Sequence, residues 1–377
     1  MIYLDYAATT PLDDRVYAAM QPYFKEQFGN SVSAHAYGWR AEEAVEKARK
    51  QIAQAICAQA AEVIFTSGAT EANNLALKGL AEAQGQGHII TAATEHSSVL
   101  ESARALERRG FALSYLPVRP DGQLELDTLA DAIRADTFLV SIMWVNNETG
   151  FIQDIAGIAE ICRQSGVFLH VDAAQALGKV AINLQEIPID LLSLSAHKAY
   201  GPKGAGVLYK RRRTDLRLLA QMHGGAQEQG LRSGTLPTAQ IVGMGEAAYL
   251  AALEREQDWQ HATRLRQRLL SHLDLSYVQC NHQSGGAPHY VNLSLHGIVE
   301  ENVLGLIERI ACSNGSACAS AYLASSYVLQ AMGLDEALAR RSLRLSFGRN
   351  TRMEDIDTAG AYLADLFAQL RKAAKKI

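Results

Sequence analysis

Apolar residues through position 210 fall in short, nearly unbroken runs, separated by stretches with helical period. The runs are EVIFT (62–66), HIITA (88–92), ALSYLPV (112–118), TFLVSIMWV (137–145), VFLHV (167–171), IDLLSLS (189–195) and GVLYK (206–210). Continuous runs of this length suit strands buried on both faces of a parallel sheet. Segments between them, such as ATEANNLALKGLAEA and DIAGIAEICRQSG, supply covering helices. A long amphipathic stretch occupies 240–273. Beyond it HYVNLSLHG and SLRLSFG alternate in polarity, which predicts half-exposed strands. The pattern predicts a large α/β domain followed by a smaller α+β domain, with the boundary inside the long helix. Repeats and low-complexity linkers are absent from the sequence.

The polar clusters recur at one kind of place. EVIFT runs into Ser67-Gly68-Ala69-Thr70, HIITA into Thr94-Glu95-His96, and TFLVSIMWV into Asn146-Asn147-Glu148. VFLHV runs into Asp172-Ala173-Ala174-Gln175, and IDLLSLS into His197-Lys198. Each cluster alone reads as an ordinary helix cap. Five in succession past strand carboxyl ends predict a ligand crevice, because in an open parallel sheet those loops converge.

Composition narrows the classes. The 377 residues carry 36 basic and 40 acidic side chains for a net charge of −4, which argues against a dedicated nucleic-acid binder. KRRRTD (210–215) is the single basic cluster and reads as a solvated turn. Cys57, Cys162, Cys280, Cys312 and Cys318 form no C-x-x-C pair and no zinc spacing, so no metal is expected and a reducing cytoplasm is. Cys57 and Cys162 sit in helical apolar patterns. The N-terminal MIYLDYAATTPL has no signal-peptide character, and no window resembles a membrane span.

Gly68-Ala69-Thr70 opening a helix offers free N–H groups and a positive dipole end to a phosphate. It is not a Walker loop, and GPKGAG precedes a strand where a dinucleotide fingerprint would open a helix. A lysine at a semi-buried strand end has its charged form disfavoured, so Lys198 can offer a neutral amine for an imine. Asp172, one strand over, can pair with a protonated pyridine nitrogen. These are the parts that pyridoxal 5'-phosphate requires.

Together the motifs TSGATEANNLA, TEHSSVL, VNNETG, HVDAAQALGK, LSAHKAYGPKGAG, RSGTLP and GSACAS resemble those of NifS/IscS-type cysteine desulfurases, which are fold-type I pyridoxal-phosphate enzymes. The similarity runs from YLDYAATTPLD (3–13) to LRLSFGRNT (343–351). It implies a large domain (15–255) with a mainly parallel seven-stranded sheet. The smaller domain would comprise 1–14 and 256–377 and carry a catalytic cysteine loop. By this resemblance Lys198 binds the cofactor covalently, Asp172 pairs with its ring nitrogen, and Gln175 donates to its phenolic oxygen. His96 stacks on the ring and shuttles protons, while Thr70, Ser195, His197 and the backbone at Ala69 hold the phosphate. Thr235 reaches the phosphate of the neighbouring subunit, which makes the active form a homodimer. Asn147 and Arg344 hold the carboxylate of the substrate, L-cysteine. Cys318 takes the substrate sulfur as a persulfide, releases alanine, and passes the sulfur to an acceptor protein for iron–sulfur assembly or nucleic-acid thio-modification, DNA phosphorothioation included. Small polar residues around Cys318 read as a mobile loop, and the length of that loop separates the chain from the SufS-like group.

Three departures from the family pattern stand out. Gly224-Gly225-Ala226-Gln227-Glu228-Gln229-Gly230 lacks a glycine and the arginine usual there. Leu323-Ala324-Ser325-Ser326 replaces Leu-Glu-Pro-Ser, and the chain stops at LRKAAKKI without a longer tail. The competing readings are a selenocysteine lyase, an aminotransferase-like relative, and a non-catalytic scaffold. The last would predict loss of Lys198, Asp172 or Cys318, all of which are present.

Overall fold

The computed structural model describes residues 1–281, 285–315 and 325–375. Its strands are β1 (Ile2–Tyr3), β2 (Val63–Thr66), β3 (His88–Ala92), β4 (Ala112–Leu116), β5 (Thr137–Met143) and β6 (Phe168–Asp172). They continue with β7 (Leu191–Ser195), β8 (Gly206–Lys210), β9 (Val278–Cys280), β10 (Tyr290–Leu295), β11 (Ile310–Ala311) and β12 (Ser342–Ser346). The seven predicted runs all form strands, and they make one sheet in the order β2-β8-β7-β6-β5-β3-β4. Only β8 runs against the rest, pairing antiparallel with both β2 and β7.

Side chains along these strands alternate between two apolar layers. Ile90, Val140, Leu169, Leu192 and Val207 pack on one face with the helices Ala36–Ala55, Ile155–Ser165 and the first half of Thr238–Ser271. Their neighbours Ile89, Leu139, Phe168, Leu191 and Leu208 pack on the other face with the helices Ala69–Gln84 and Ser97–Glu107. Burial on both sides explains why these strands read as unbroken apolar runs.

A smaller antiparallel sheet, ordered β12-β10-β9, packs one face on the helix Met353–Ala374 and on Leu265 and Leu269 of the long helix. The two-stranded parallel pair of β1 and β11 stands beside it. Here the structure corrects an expectation. The strands β10 and β12 are buried on both faces, not half-exposed. Their polar face, with Asn292, Ser294, Ser342, Arg344 and Ser346, turns inward, and each of these side chains has a hydrogen-bond partner. Asn281 Nδ2 donates to Asn292 Oδ1 (2.7 Å) and Ser294 Oγ (2.6 Å), and Ser346 Oγ accepts from the Ala7 N–H (2.8 Å). Alternation reports which side a residue faces, not what covers that side.

Two local expectations also change. In the basic cluster residues 212–215 are exposed, as expected of a solvated turn, but Arg211 is only partly exposed; its guanidinium donates to the carbonyls of Ile189, Leu184 and Ile187 and ties the turn down. Cys57 lies past the helix Ala36–Ala55 with φ of 53°, outside any helical face. No described helix is long and apolar enough to cross a membrane.

Candidate active site

The carboxyl ends of β2, β3, β5, β6 and β7 open into one cleft of about 610 Å³. Ala69, Thr70, His96, Asn147, Asp172, Gln175, Ser195, His197, Lys198 and Arg344 all line it, so ten predicted site residues meet in one place. Thr235 does not line this cleft; it is exposed on the loop before the long helix. Cys318 lies outside the described residues, as do Leu323 and Ala324 of the noted departure. Gly315, on the N-terminal side of Cys318, lines the cleft.

Lys198 ends a short 3-10 turn directly after β7. Its Nζ donates to the carbonyls of Ala7 (2.6 Å) and Ala8 (2.8 Å), which belong to the N-terminal segment. Neutral carbonyls do not offset a buried ammonium, and burial, reinforced by the positive Arg344, lowers the amine to about 8. Gln175 shares the Ala7 carbonyl: its Nε2 donates there (2.9 Å), and its Oε1 accepts from Tyr290 Oη (2.6 Å).

Asp172 ends β6 and is held from two sides. Its Oδ1 accepts from the Ala174 N–H (2.9 Å) and its Oδ2 from Asn73 Nδ2 (2.8 Å). The same Asn73 nitrogen donates to Ser98 Oγ (2.9 Å), which sits 2.8 Å from His96 Nδ1. The Ser98 N–H also donates to Nδ1 (3.2 Å). Nδ1 is therefore the acceptor and the ring proton resides on Nε2. Burial lowers the His96 pKa, so the imidazole is neutral at ordinary pH. Beneath it Glu95 is fully enclosed, with its carboxyl raised well above the usual range by burial.

A phosphate fits the mouth of the helix Ala69–Gln84. Its N-cap is Gly68, with φ of 155° and no side-chain cap, which leaves the first N–H groups facing the cleft. A Cβ at Gly206 would lie 2.5 Å from the Gly68 Cα, so glycine at 206 lets β8 approach the cup. That is the structural use of the GPKGAG run. His197 turns its Nδ1 to Thr9 Oγ1 (3.2 Å), and burial lowers its pKa to about 4, which leaves it a neutral hydrogen-bonding group. The donor set, the low-pKa amine and the fixed Asp172 carboxylate fit pyridoxal phosphate.

At the opposite wall Arg344 is almost wholly buried. Its Nη2 donates to Asp5 Oδ1 (2.7 Å) and its Nη1 to the carbonyls of Asn147 (2.9 Å) and Gly315 (3.1 Å). Among the described residues its Nε and the Asn147 side-chain oxygen have no partner, although both are buried. Unpaired polar atoms beside a cleft are the expected sign of a polar ligand's seat.

The sequence reading missed Asn73, Ser98, Asp5 and the Ala7 and Ala8 carbonyls, and placed Glu148 in a crevice cluster without a role. Asn73 had a signal: it stands four residues after Ala69, on the same helical face as the cup. The carbonyls had none. In the Gly224–Gly230 departure Glu228 pairs with Arg49 (2.8 Å), and Gln229 Nε2 donates to the Ala61 carbonyl (2.9 Å).

The family profile described as Aminotransferase class-V matches residues 2–358. A protein named Cysteine desulfurase IscS from Neisseria meningitidis serogroup C (strain 053442) is 51% identical over 377 residues, covering 98% of this chain and 93% of that protein. Among solved structures, a NifS-like protein superposes with a TM-score of 0.88 at 33% identity, covering all of both chains. The structure described as SspA in complex with cysteine gives a TM-score of 0.84 at 37% identity, covering 92% of this chain and 99% of that one. With the matched family spanning nearly the whole length, and the cleft built as its cofactor requires, the chain belongs to the class-V aminotransferase family.

Proposed function

We propose that the chain is a pyridoxal-phosphate-dependent cysteine desulfurase that converts L-cysteine to L-alanine and carries the sulfur on Cys318. The observation that carries this reading is the convergence of Lys198, Asp172 and His96 on one cleft whose far wall is Asn147 and Arg344. Similarity to IscS proteins over 98% of the chain supports it.

Pyridoxal phosphate, held by Lys198, Asp172 and the Gly68–Thr70 cup, supplies an electron sink for charge that develops on the substrate. Arg344 and Asn147 bind the substrate carboxylate and orient the amino acid. Lys198, with its lowered pKa, accepts and returns a proton at Nζ, and His96 holds one at Nε2 on the other side. The Cys318 thiolate attacks the substrate sulfur. The S–S bond forms as the C–S bond breaks, and the electron pair left on carbon takes up a proton to give the alanine methyl group. The persulfide then passes to an acceptor protein, in iron–sulfur assembly or thio-modification.

Residues 15–255 are the cofactor-binding domain in this reading, and 1–14 with 256–377 the smaller one. Pairing of β1 with β11 supports that division, as does the long helix, whose Ile241 and Met244 join one core and Leu265 and Leu269 another. The active form is a homodimer in which the exposed Thr235 meets the other subunit's phosphate, and it works in the cytoplasm. Sedimentation of a cofactor-loaded, fully active monomer would contradict the dimer.

The test is direct. Purified protein given L-cysteine and a reductant should release alanine. Without reductant it should hold a persulfide that Cys318→Ser abolishes while its cofactor is retained. Cofactor-loaded protein that forms no alanine would refute the reading.

A further inference from the structure

Glu148 belongs to the VNNETG motif but has no part in the chemistry above. Its side chain is fully buried in the cleft wall, between the two described ends of the segment that contains Cys318. On the C-terminal side, Ser326 Oγ donates to Glu148 Oε2 at 2.5 Å. That hydroxyl has one direction open to it. Ser326 Oγ also caps the helix Tyr327–Ala331 by accepting the Leu329 N–H (3.1 Å), so its proton points at the carboxylate. On the N-terminal side, Gly315 lies against the same carboxylate, where even a Cβ would overlap Oε2. Gly315 has φ of 122°, so both its backbone conformation and its contact require glycine.

Further ties run to the substrate wall. Arg344 Nη1 donates to the Gly315 carbonyl and to the Asn147 carbonyl, and the Arg344 backbone pairs with Ser313. Asn292 Nδ2 donates to the Glu148 carbonyl (3.2 Å), and Tyr327 Oη donates to the Glu95 carbonyl (2.7 Å). Residues 315 and 326 are thus fastened to the loop that presents Asn147.

We infer that Glu148 is a positioning residue which, by accepting from Ser326 and packing on Gly315, fixes both ends of the Cys318 segment relative to the carboxylate seat. The inference rests on the desulfurase reading. It is the acceptor oxygen that matters in this role, not the charge. Burial raises the Glu148 pKa to about 6, and a carboxyl protonated on Oε1 still accepts at Oε2. Glutamine can do the same, and alanine cannot.

The experiment compares Glu148→Ala, Ser326→Ala, the double variant and Glu148→Gln in the holoenzyme. Two readouts are taken: the kinetics of alanine formation from L-cysteine, and the rate at which iodoacetamide alkylates Cys318, followed by mass spectrometry. Losing one hydrogen bond to a carboxylate is worth about a tenfold change. Glu148→Ala and Ser326→Ala should each lower kcat about tenfold, with KM and cofactor content within about twofold. Cys318 should alkylate about fivefold faster in both. The double variant should be no worse than Glu148→Ala alone, and Glu148→Gln should stay within about threefold of the parent, since coupled partners are not additive. Multiplicative losses in the double variant, or unchanged kcat and alkylation in Ser326→Ala, would overturn the inference. If Glu148→Ala does not fold, Ser326→Ala and Glu148→Gln decide it between them. A parent enzyme that makes no alanine would sink the desulfurase reading instead, while the alkylation rates would still test the tether.

Discussion

Asn73 and Asp172, 99 residues apart in sequence, meet through a hydrogen bond of 2.8 Å from the amide to the carboxylate. The amide also reaches Ser98, and through it His96, so one side chain orients two groups of the cleft. Hydrogen bonds to charged groups contribute about 1.5–3 kcal/mol. Asn73→Ala should therefore weaken cofactor binding about tenfold to a hundredfold, measured by equilibrium dialysis of the cofactor. Asn73→Asp should be worse, because a second carboxylate would face Asp172. Undiminished affinity in both variants would show that Asp172 needs no such support.

Lys198 supplies a pH test with a definite sign. Burial lowers the amine to about 8, below an ordinary lysine. Below that pH it is an ammonium and cannot add to an aldehyde; above it the neutral amine predominates. The rate at which apoprotein captures pyridoxal phosphate should rise with pH and level off above about pH 8, followed by stopped-flow absorbance. A rate still climbing at the pKa of free lysine, about 10.4, would mean that the site does not perturb the amine.

Cys312 contrasts with Cys318. It is held beside the small-domain core, and burial pushes its thiol up to about 12. A thiol that stays protonated is a poor nucleophile. Cys312→Ala should keep alanine formation within about twofold of the parent, and the Cys312 thiol should resist alkylation at pH 8 in the folded protein. Loss of the persulfide in Cys312→Ala would assign the nucleophile to the wrong cysteine.

Arg49 and Glu228 form a buried two-pronged pair at 2.8 and 2.9 Å, and Glu228 Oε2 also accepts the Phe65 N–H beside the cofactor cup (2.7 Å). Removing one member strands the other charge. Arg49→Met should cost about 3–5 kcal/mol, read from urea denaturation at fixed protein concentration. Arg49→Met with Glu228→Gln should recover part of that loss. Failure to recover any of it would point to packing of Arg49 over the Phe65 ring, 4.6 Å from its centroid, as the larger contribution.

Much of this protein follows from local pattern. Seven apolar runs became the seven strands of the main sheet because burial on both faces leaves no room for polar alternation. The positions of Thr70, His96, Asn147, Asp172 and Lys198 follow from the same pattern, since each stands at or just past a strand end and a parallel sheet gathers those ends. Tertiary structure alone decided what meets them. The Ala7 and Ala8 carbonyls reach Lys198 because the N-terminal segment folds across the cleft, and a backbone oxygen has no signature in sequence. The polar face of β10 and β12 looked solvent-facing because hydrogen bonding to a distant loop and hydration favour the same residue types. Glu148 meets Ser326 for a related reason. A carboxylate after a strand reads as a cap until the fold brings a hydroxyl 178 positions away within 2.5 Å of it.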